Sequence, residues 1–407
     1  MPPHCPLSTH VALYLWYGTP QIDGKWMHWD HPTLPHWTKS VNERFPPNVP
    51  FQPPDAPHSP YYPERGLYSS RDPSVLAAQM AELADAGVDS VMLSWWGQPS
   101  YKGPNGPEVP KRDSQDVSTD ELVPAVLDAA AAAGIGVTWH LEPYGRRTPR
   151  SIADDLKYLH ATYGQHPAVY KWKCATCDRA LPVMFLYDVS AEHISGDGGA
   201  GSAAHMSEMM HQWKEVTKTL RGTPHDAVLI SLLHDSRDLD FVVHSGFDGA
   251  YTYFSSDGFT EGSTVAKWSD MASKMRERRK MFVPSVGPGY NDTLIRPWNS
   301  QNTKRREGGK YYDRMWSAAL EAGPAMITIT SYNEWGEGTQ IEPARPHRTA
   351  GAGGDGGGGG KSYADYSEEG HNPRYYLERT KDWVARARRQ AGCLETTSDP
   401  IVDRREL

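Results

Sequence analysis

The chain has 407 residues and a formal net charge of −8, from 42 Lys and Arg against 50 Asp and Glu. This length fits two ordinary domains or one large α/β barrel. The acidic balance argues against a polyanionic partner such as nucleic acid or an anionic membrane face.

Strand and helix alternate eight times in the sequence pattern. Residues 11–16 read as the first strand, followed by a connection rich in Pro, Trp and His to about Ser70. Asp72 and Pro73 open a helix, a cap followed by proline at the first helical position, and Gly87 closes it. Residues 88–95 form the second strand. Ser118-Thr119-Asp120-Glu121 starts an alanine-rich helix to residue 133, which Gly134 ends. Residues 137–141 are the third strand, and Thr148-Pro149 begins the helix to about Tyr163.

Residues 169–172 and 183–187 read as a hairpin, its second arm being the fourth strand. A helix over 206–220 precedes the fifth strand, 227–233. A short helix over 238–245 leads to the sixth strand, 250–254. A helix over 264–279, the seventh strand at 281–286, a helix over 310–321, the eighth strand at 325–330 and a closing helix over 373–391 complete the pattern. Eight βα units in one chain predict an α/β fold, a single-domain (β/α)8 TIM barrel with long βα loops. No G-x-G-x-x-G follows any strand, so neither a dinucleotide fold nor a cofactor is expected.

By this reading residues 1–9 are an N-terminal segment, 10–392 the catalytic barrel and 393–407 a polar tail. The stretch 350–360, AGAGGDGGGGG, is expected to be a mobile loop. No basic region followed by an apolar run opens the chain, and no stretch approaches ~20 apolar residues, so neither an export signal nor a membrane span is expected. Cys174 and Cys177 form a lone C-x-x-C at the hairpin tip, either a local disulfide or two free thiols.

In a (β/α)8 barrel, function gathers at the C-terminal strand ends. Those ends carry Tyr17, Trp95-Trp96, His140 with Glu142, Tyr187-Asp188, His234-Asp235, Tyr251 with Tyr253, and Arg296 beyond the seventh strand. The eighth strand runs into Tyr332-Asn333-Glu334-Trp335-Gly336-Glu337-Gly338. The aromatics are 14 Trp and 21 Tyr against 8 Phe. Rings with a polar edge suit a flat, hydroxylated, uncharged ligand. Carboxyl pairs among such rings suit cleavage of a glycosidic bond, but spacing does not choose among Glu142, Glu334 and Glu337. Rival readings stand beside these: Trp95-Trp96 as packing under a loop, Asp235 and Asp238 as helix-start residues, and Arg296 as a tie to a loop carbonyl. His28, Asp30 and His31 are a third candidate, as metal ligands or as ordinary hydrogen bonders. Asn291-Asp292-Thr293 is a glycosylation sequon whose modification would crowd the site.

Six blocks, WYGTPQIDGKWMHWDHP (16–32), YYPERGLYSSRDPSV (61–75), WHLEPYGRR (139–147), SGFDGAYTYF (245–254), PSVGPGYNDTLIRPWN (284–299) and ITSYNEWGEGTQIEPA (329–344), resemble glycoside hydrolase family 99, the endo-α-mannosidases. The resemblance runs in order from about residue 9 to 390. It implies a retaining, metal- and cofactor-independent enzyme that cuts α-1,2-mannosidic bonds within a glycan, in N-glycan processing or, in some bacterial members, in mannan degradation. It implies Glu337 as general acid/base and Glu334 as the base that deprotonates the mannose 2-hydroxyl, closing a 1,2-anhydro sugar. It further implies sugar contacts from Tyr17, Trp95, Glu142, Tyr187, Tyr253 and Arg296, and a Golgi or secretory setting; Trp335, between the two acids, is read from the segment itself as a ring to stack on a sugar, and a monomer is expected. One departure stands out: the family segment has His between Trp335 and Glu337, where this chain has Gly336. A non-catalytic sugar-binding barrel is the alternative that this departure keeps open.

Overall fold

The computed structural model of the chain describes residues 7–102, 108–145, 147–173, 179–189, 203–348, 362–366 and 370–393. Cys5, Cys174, Cys177, the stretch 350–360 and residues 394–407 lie outside them, so the expectations placed there are not addressed.

Among the described residues eight parallel strands form a ring: β1 (Ser8–Leu13), β2 (Ser90–Trp95), β3 (Gly136–Leu141), β4 (Leu181–Leu186), β5 (Val228–Leu232), β6 (Gly249–Tyr251), β7 (Met281–Val283, continuing as Ser285–Val286) and β8 (Met326–Ile329). Each pairs with the next, and β8 pairs back onto β1 with Ile329 opposite Val11. Pro284, with no N–H to give, divides β7. Its first piece pairs with β6 and its second with β8, which closes the barrel. The eight main helices are α1 (Pro73–Asp85), α2 (Val123–Ala133), α3 (Pro149–Tyr163), α4 (Ala203–Leu220), α5 (Asp238–His244), α6 (Trp268–Glu277), α7 (Lys310–Glu321) and α8 (Tyr375–Gln390). Strands covered on both faces need no polar side, and every residue of β1 and β2 is buried.

The polar residues in these strands satisfy one another. His10 meets Ser90 Oγ through Nδ1 at 2.6 Å and Ser8 Oγ through Nε2 at 2.9 Å. Burial lowers its pKa to about 3, so the ring is neutral.

Two helix starts follow the sequence signals. Asp72 accepts from Ser74 N at 2.8 Å ahead of α1, and Thr148 and Ser151 form a reciprocal capping box ahead of α3. The start of α2 differs. Thr119 and Asp120 cap nothing; the helix begins at Val123 after a 3₁₀ turn over Asp120–Leu122. Thr119 Oγ1 accepts from Trp96 N at 3.0 Å, and Asp120 accepts from Trp95 Nε1 at 2.8 Å and from Tyr158 Oη at 2.6 Å. Both side chains are spent on fixing the end of β2.

Strand ends are likewise shorter than expected. β1 stops at Leu13 because the Asn333 side chain takes both the N–H and the carbonyl of Tyr14, at 2.8 and 2.9 Å. β6 stops at Tyr251, and Tyr253 turns into the left-handed region with φ 52°. The sequence also gave no hint of two short helices in the first connection, Pro20–Asp23 and Lys39–Arg44. The two-stranded pairs Ser100–Lys102 with Glu108–Pro110 and His347–Arg348 with Ser362–Tyr363 were equally unforeseen.

Candidate active site

A cavity of about 590 Å³ opens at the C-terminal end of the barrel, and all eight strand ends line it. Tyr14 and Trp16 follow β1, Trp96 follows β2, Glu142 follows β3, Tyr187 follows β4 and His234 follows β5. Tyr253 and Phe254 follow β6, Tyr290, Arg296 and Trp298 sit on the loop after β7, and Glu334 and Glu337 follow β8.

The two acids stand on a turn whose backbone is tied from below. Ser331 Oγ accepts from Glu334 N at 2.8 Å, and Glu337 O accepts from Asn291 N at 2.8 Å. Burial pushes the Glu334 carboxyl well above the ordinary range, with the Glu337 and Glu142 charges adding to it and Arg296 opposing. Burial also raises Glu337, and Arg296 opposes that rise both by its charge and by a direct hydrogen bond. Arg296 Nη1 lies 3.0 Å from Glu337 Oε1 and 3.1 Å from Asp292 Oδ2. The guanidinium is thus shared with a fully buried carboxylate, and Glu337 Oε2 has no hydrogen bond among the described residues. Arg296 ties down Asp292 and Glu337, not a loop carbonyl.

Glu142 is the third acid of the cavity. Its Oε1 accepts from Ser94 Oγ at 2.8 Å and meets His140 Nδ1 at 2.7 Å, while His140 Nε2 meets Tyr251 Oη at 2.7 Å. Tyr253 stacks on His140 with ring centroids 5.3 Å apart, meets Tyr187 edge to face at 5.1 Å and shares a hydroxyl contact with Tyr14. Glu142, Tyr187, Tyr253, Arg296, Glu334 and Glu337 therefore converge on one space.

Three expected sugar contacts do not reach it. Trp95 is fully buried, with its indole N–H on Asp120; the neighbouring Trp96 lines the cavity instead. Trp335 is fully buried and gives its indole N–H to Glu342 Oε2 at 2.9 Å. Tyr17 Oη donates to Asn333 O at 2.9 Å and accepts from Trp335 N at 3.1 Å. These rings support the acid-bearing turn from behind, and their polar atoms are already satisfied by protein. Their neighbours in sequence escaped notice: Tyr14 and Trp16 face inward, where Tyr17 does not. The signal was present in the alternation of the strand, but it needed the strand's end point to be used. Trp37, on the first connection, lines the mouth at 88% exposure.

His28 Nε2 is paired with Asp113 at 2.8 Å, and the His28 ring stacks on Trp16 at 4.3 Å. His31 Nδ1 meets the Pro32 carbonyl at 2.8 Å. Among the described residues no three His, Cys, Asp or Glu side chains are grouped to hold a metal ion. Asp238 accepts from His234 N at 2.7 Å at the start of α5, and Asp235 accepts from Arg237 N at 2.8 Å, so both serve the turn. Asn291 of the sequon is held by Thr293 Oγ1 at 2.7 Å, beside Glu337.

Residues 6–389 match the sequence profile of glycosyl hydrolase family 99. The chain is 40% identical over 381 residues to the mouse (Mus musculus) glycoprotein endo-alpha-1,2-mannosidase, covering 92% of this chain and 73% of the relative. It is 40% identical over 380 residues to a glycoprotein endo-alpha-1,2-mannosidase-like protein of Danio rerio, covering 92% and 77%. The solved GH99 endo-alpha-mannosidase of Bacteroides thetaiotaomicron superposes with a TM-score of 0.74 at 33% identity, over 94% of this chain and 98% of that one. With the ring of strands, the acid-lined mouth and these likenesses together, the chain is a glycoside hydrolase and belongs to glycosyl hydrolase family 99.

Proposed function

We propose that this glycoside hydrolase is an endo-α-1,2-mannosidase that removes a glucosylated mannose oligosaccharide from high-mannose N-glycans, with retention of configuration. The observation that carries the reading is the pair Glu334 and Glu337: two carboxyls in one cavity, both raised by burial, with a single guanidinium on the second. Relatives named as glycoprotein endo-alpha-1,2-mannosidases support the substrate class.

The chemistry follows from which oxygen has a proton to give. In an α-mannoside O2 lies trans to the leaving group, so the nucleophile is already in place. Glu334 takes the O2 proton as O2 attacks C1; the bond from C1 to the leaving oxygen breaks, and Glu337 delivers its proton there. Water then attacks C1 of the 1,2-anhydro sugar and the C1–O2 bond breaks; Glu337 accepts the water proton, and Glu334 returns its proton to O2. Two inversions give net retention.

This sequence needs Glu337 protonated and Glu334 ionised. Burial raises both carboxyls, and Arg296, hydrogen-bonded to Glu337, opposes the rise there. Substrate selects the pattern the reaction needs. A hydroxyl at O2 donates to an ionised Glu334, whereas the glycosidic oxygen has no hydrogen and accepts only from a protonated Glu337.

Cys393 is disulfide-bonded, which suits an oxidising secretory compartment. No helix among the described residues is long and apolar enough to cross a membrane. Incubation with a glucosylated high-mannose glycan, with product followed by NMR, should give a glucosyl-mannose oligosaccharide of initially α configuration. Unchanged glycan at high enzyme, or a β product, would remove the reading; turnover of yeast mannan alone would move the enzyme to mannan degradation.

A further inference from the structure

Gly336 lies between the two acids, and the space above it is taken. A Cβ built there falls 2.5 Å from His58 Cε1, 3.0 Å from Ile295 Cδ1 and 3.2 Å from His58 Nδ1. No side chain fits at 336 while His58 keeps its place. That place is fixed by the backbone, since His58 N donates to Trp29 O at 2.7 Å, and Ser59 Oγ donates to Trp335 O at 3.2 Å. The ring is buried, with Nδ1 at 3.3 Å from the His28 carbonyl and Nε2 without a hydrogen-bond partner among the described residues.

We propose that His58 is a positioning residue for Glu337: from the connection after β1 it supplies the imidazole that the turn between the acids does not carry at Gly336. The ring packs over Gly336, one residue before Glu337, and shares the space above that glycine with Ile295, one residue before Arg296, so it lies where the segments carrying both members of the ion pair meet. Burial, with His31 and Arg296 nearby, holds it neutral, so it adds no charge beside that pair. A histidine at 336 would claim the volume that the His58 ring holds in this chain. The inference rests on the catalytic reading of Glu337, but its steric half does not.

The test is a double-mutant cycle on the full chain, read by melting temperature and by kcat and KM on the glycan. His58→Gly should lower kcat by about tenfold to a hundredfold with KM nearly unchanged, as a slightly misplaced acid does. Gly336→Ala should lower the melting temperature with His58 present and be tolerated in the His58→Gly background. His58→Gly with Gly336→His should recover kcat, whereas His58→Gly with Gly336→Leu should recover melting temperature alone. If Gly336→Ala costs the same melting temperature in both backgrounds, the shared volume is refuted. If leucine restores kcat as well as histidine does, or histidine restores none, the imidazole has no positioning role. A wild-type enzyme inactive on the glycan would instead sink the mannosidase reading and leave the melting-temperature cycle readable.

Discussion

Glu337→Gln separates protonation of the leaving group from everything else the site does. Glutamine keeps the volume and an acceptor oxygen for Arg296 Nη1, now 3.0 Å from the carboxylate. The guanidinium stays paired with Asp292 at 3.1 Å, so the structural cost should be below about 1 kcal/mol. The proton donor is lost, and a positioned general acid is worth roughly 10²–10⁴ in rate, or about 3–5 kcal/mol of transition-state stabilisation. The need for that proton depends on what departs. A sugar alkoxide must be protonated; fluoride or a nitrophenolate leaves without help. We expect kcat/KM to fall roughly 10²–10⁴-fold on the glycan and less than about tenfold on an α-mannosyl fluoride with the same non-reducing sugars. Equal losses on both substrates would refute Glu337 as the acid. Glu334→Gln should fail on both, because ring closure at O2 requires a base whichever group departs.

Arg296→Met removes the cation that opposes the rise of Glu337. The carboxyl then holds its proton to higher pH, and the basic limb of kcat/KM against pH should move upward; an unmoved limb would show that it reports another group. Trp96→Ala should raise KM for the glycan, since this ring lines the cavity. Trp95→Phe should leave KM alone and cost about 1–3 kcal/mol of stability through the lost bond to Asp120, measured by denaturant titration; the opposite pattern would reverse the two assignments. His10 titrates near 6.5 when unfolded and at about 3 when folded, so its contribution to stability is complete above pH 6.5. Below that pH the unfolded chain gains a proton that the fold refuses, and stability should fall by about 1.4 kcal/mol per pH unit until about pH 3. His10→Asn should flatten this slope in melting experiments, and an unchanged slope would assign it to other groups.

The chain by itself determined the succession of buried strands and amphipathic helices, and it marked two helix starts with local chemistry, at Asp72 and Thr148. These are short-range matters: periodicity and capping depend on residues a few positions apart. It also placed Glu334 and Glu337 together at the end of a strand, because three residues of spacing survive any fold. Tertiary structure decided which side chains look into the cavity. Tyr17, Trp95 and Trp335 carry the right chemistry but face protein, where Asn333, Asp120 and Glu342 take their polar atoms. Their orientation hangs on where each strand stops, and partners far off in sequence set that point. The same holds for Asp292 beside Arg296 and for His58 above Gly336, where contact arises only once the barrel has closed and brought the first loop against the last.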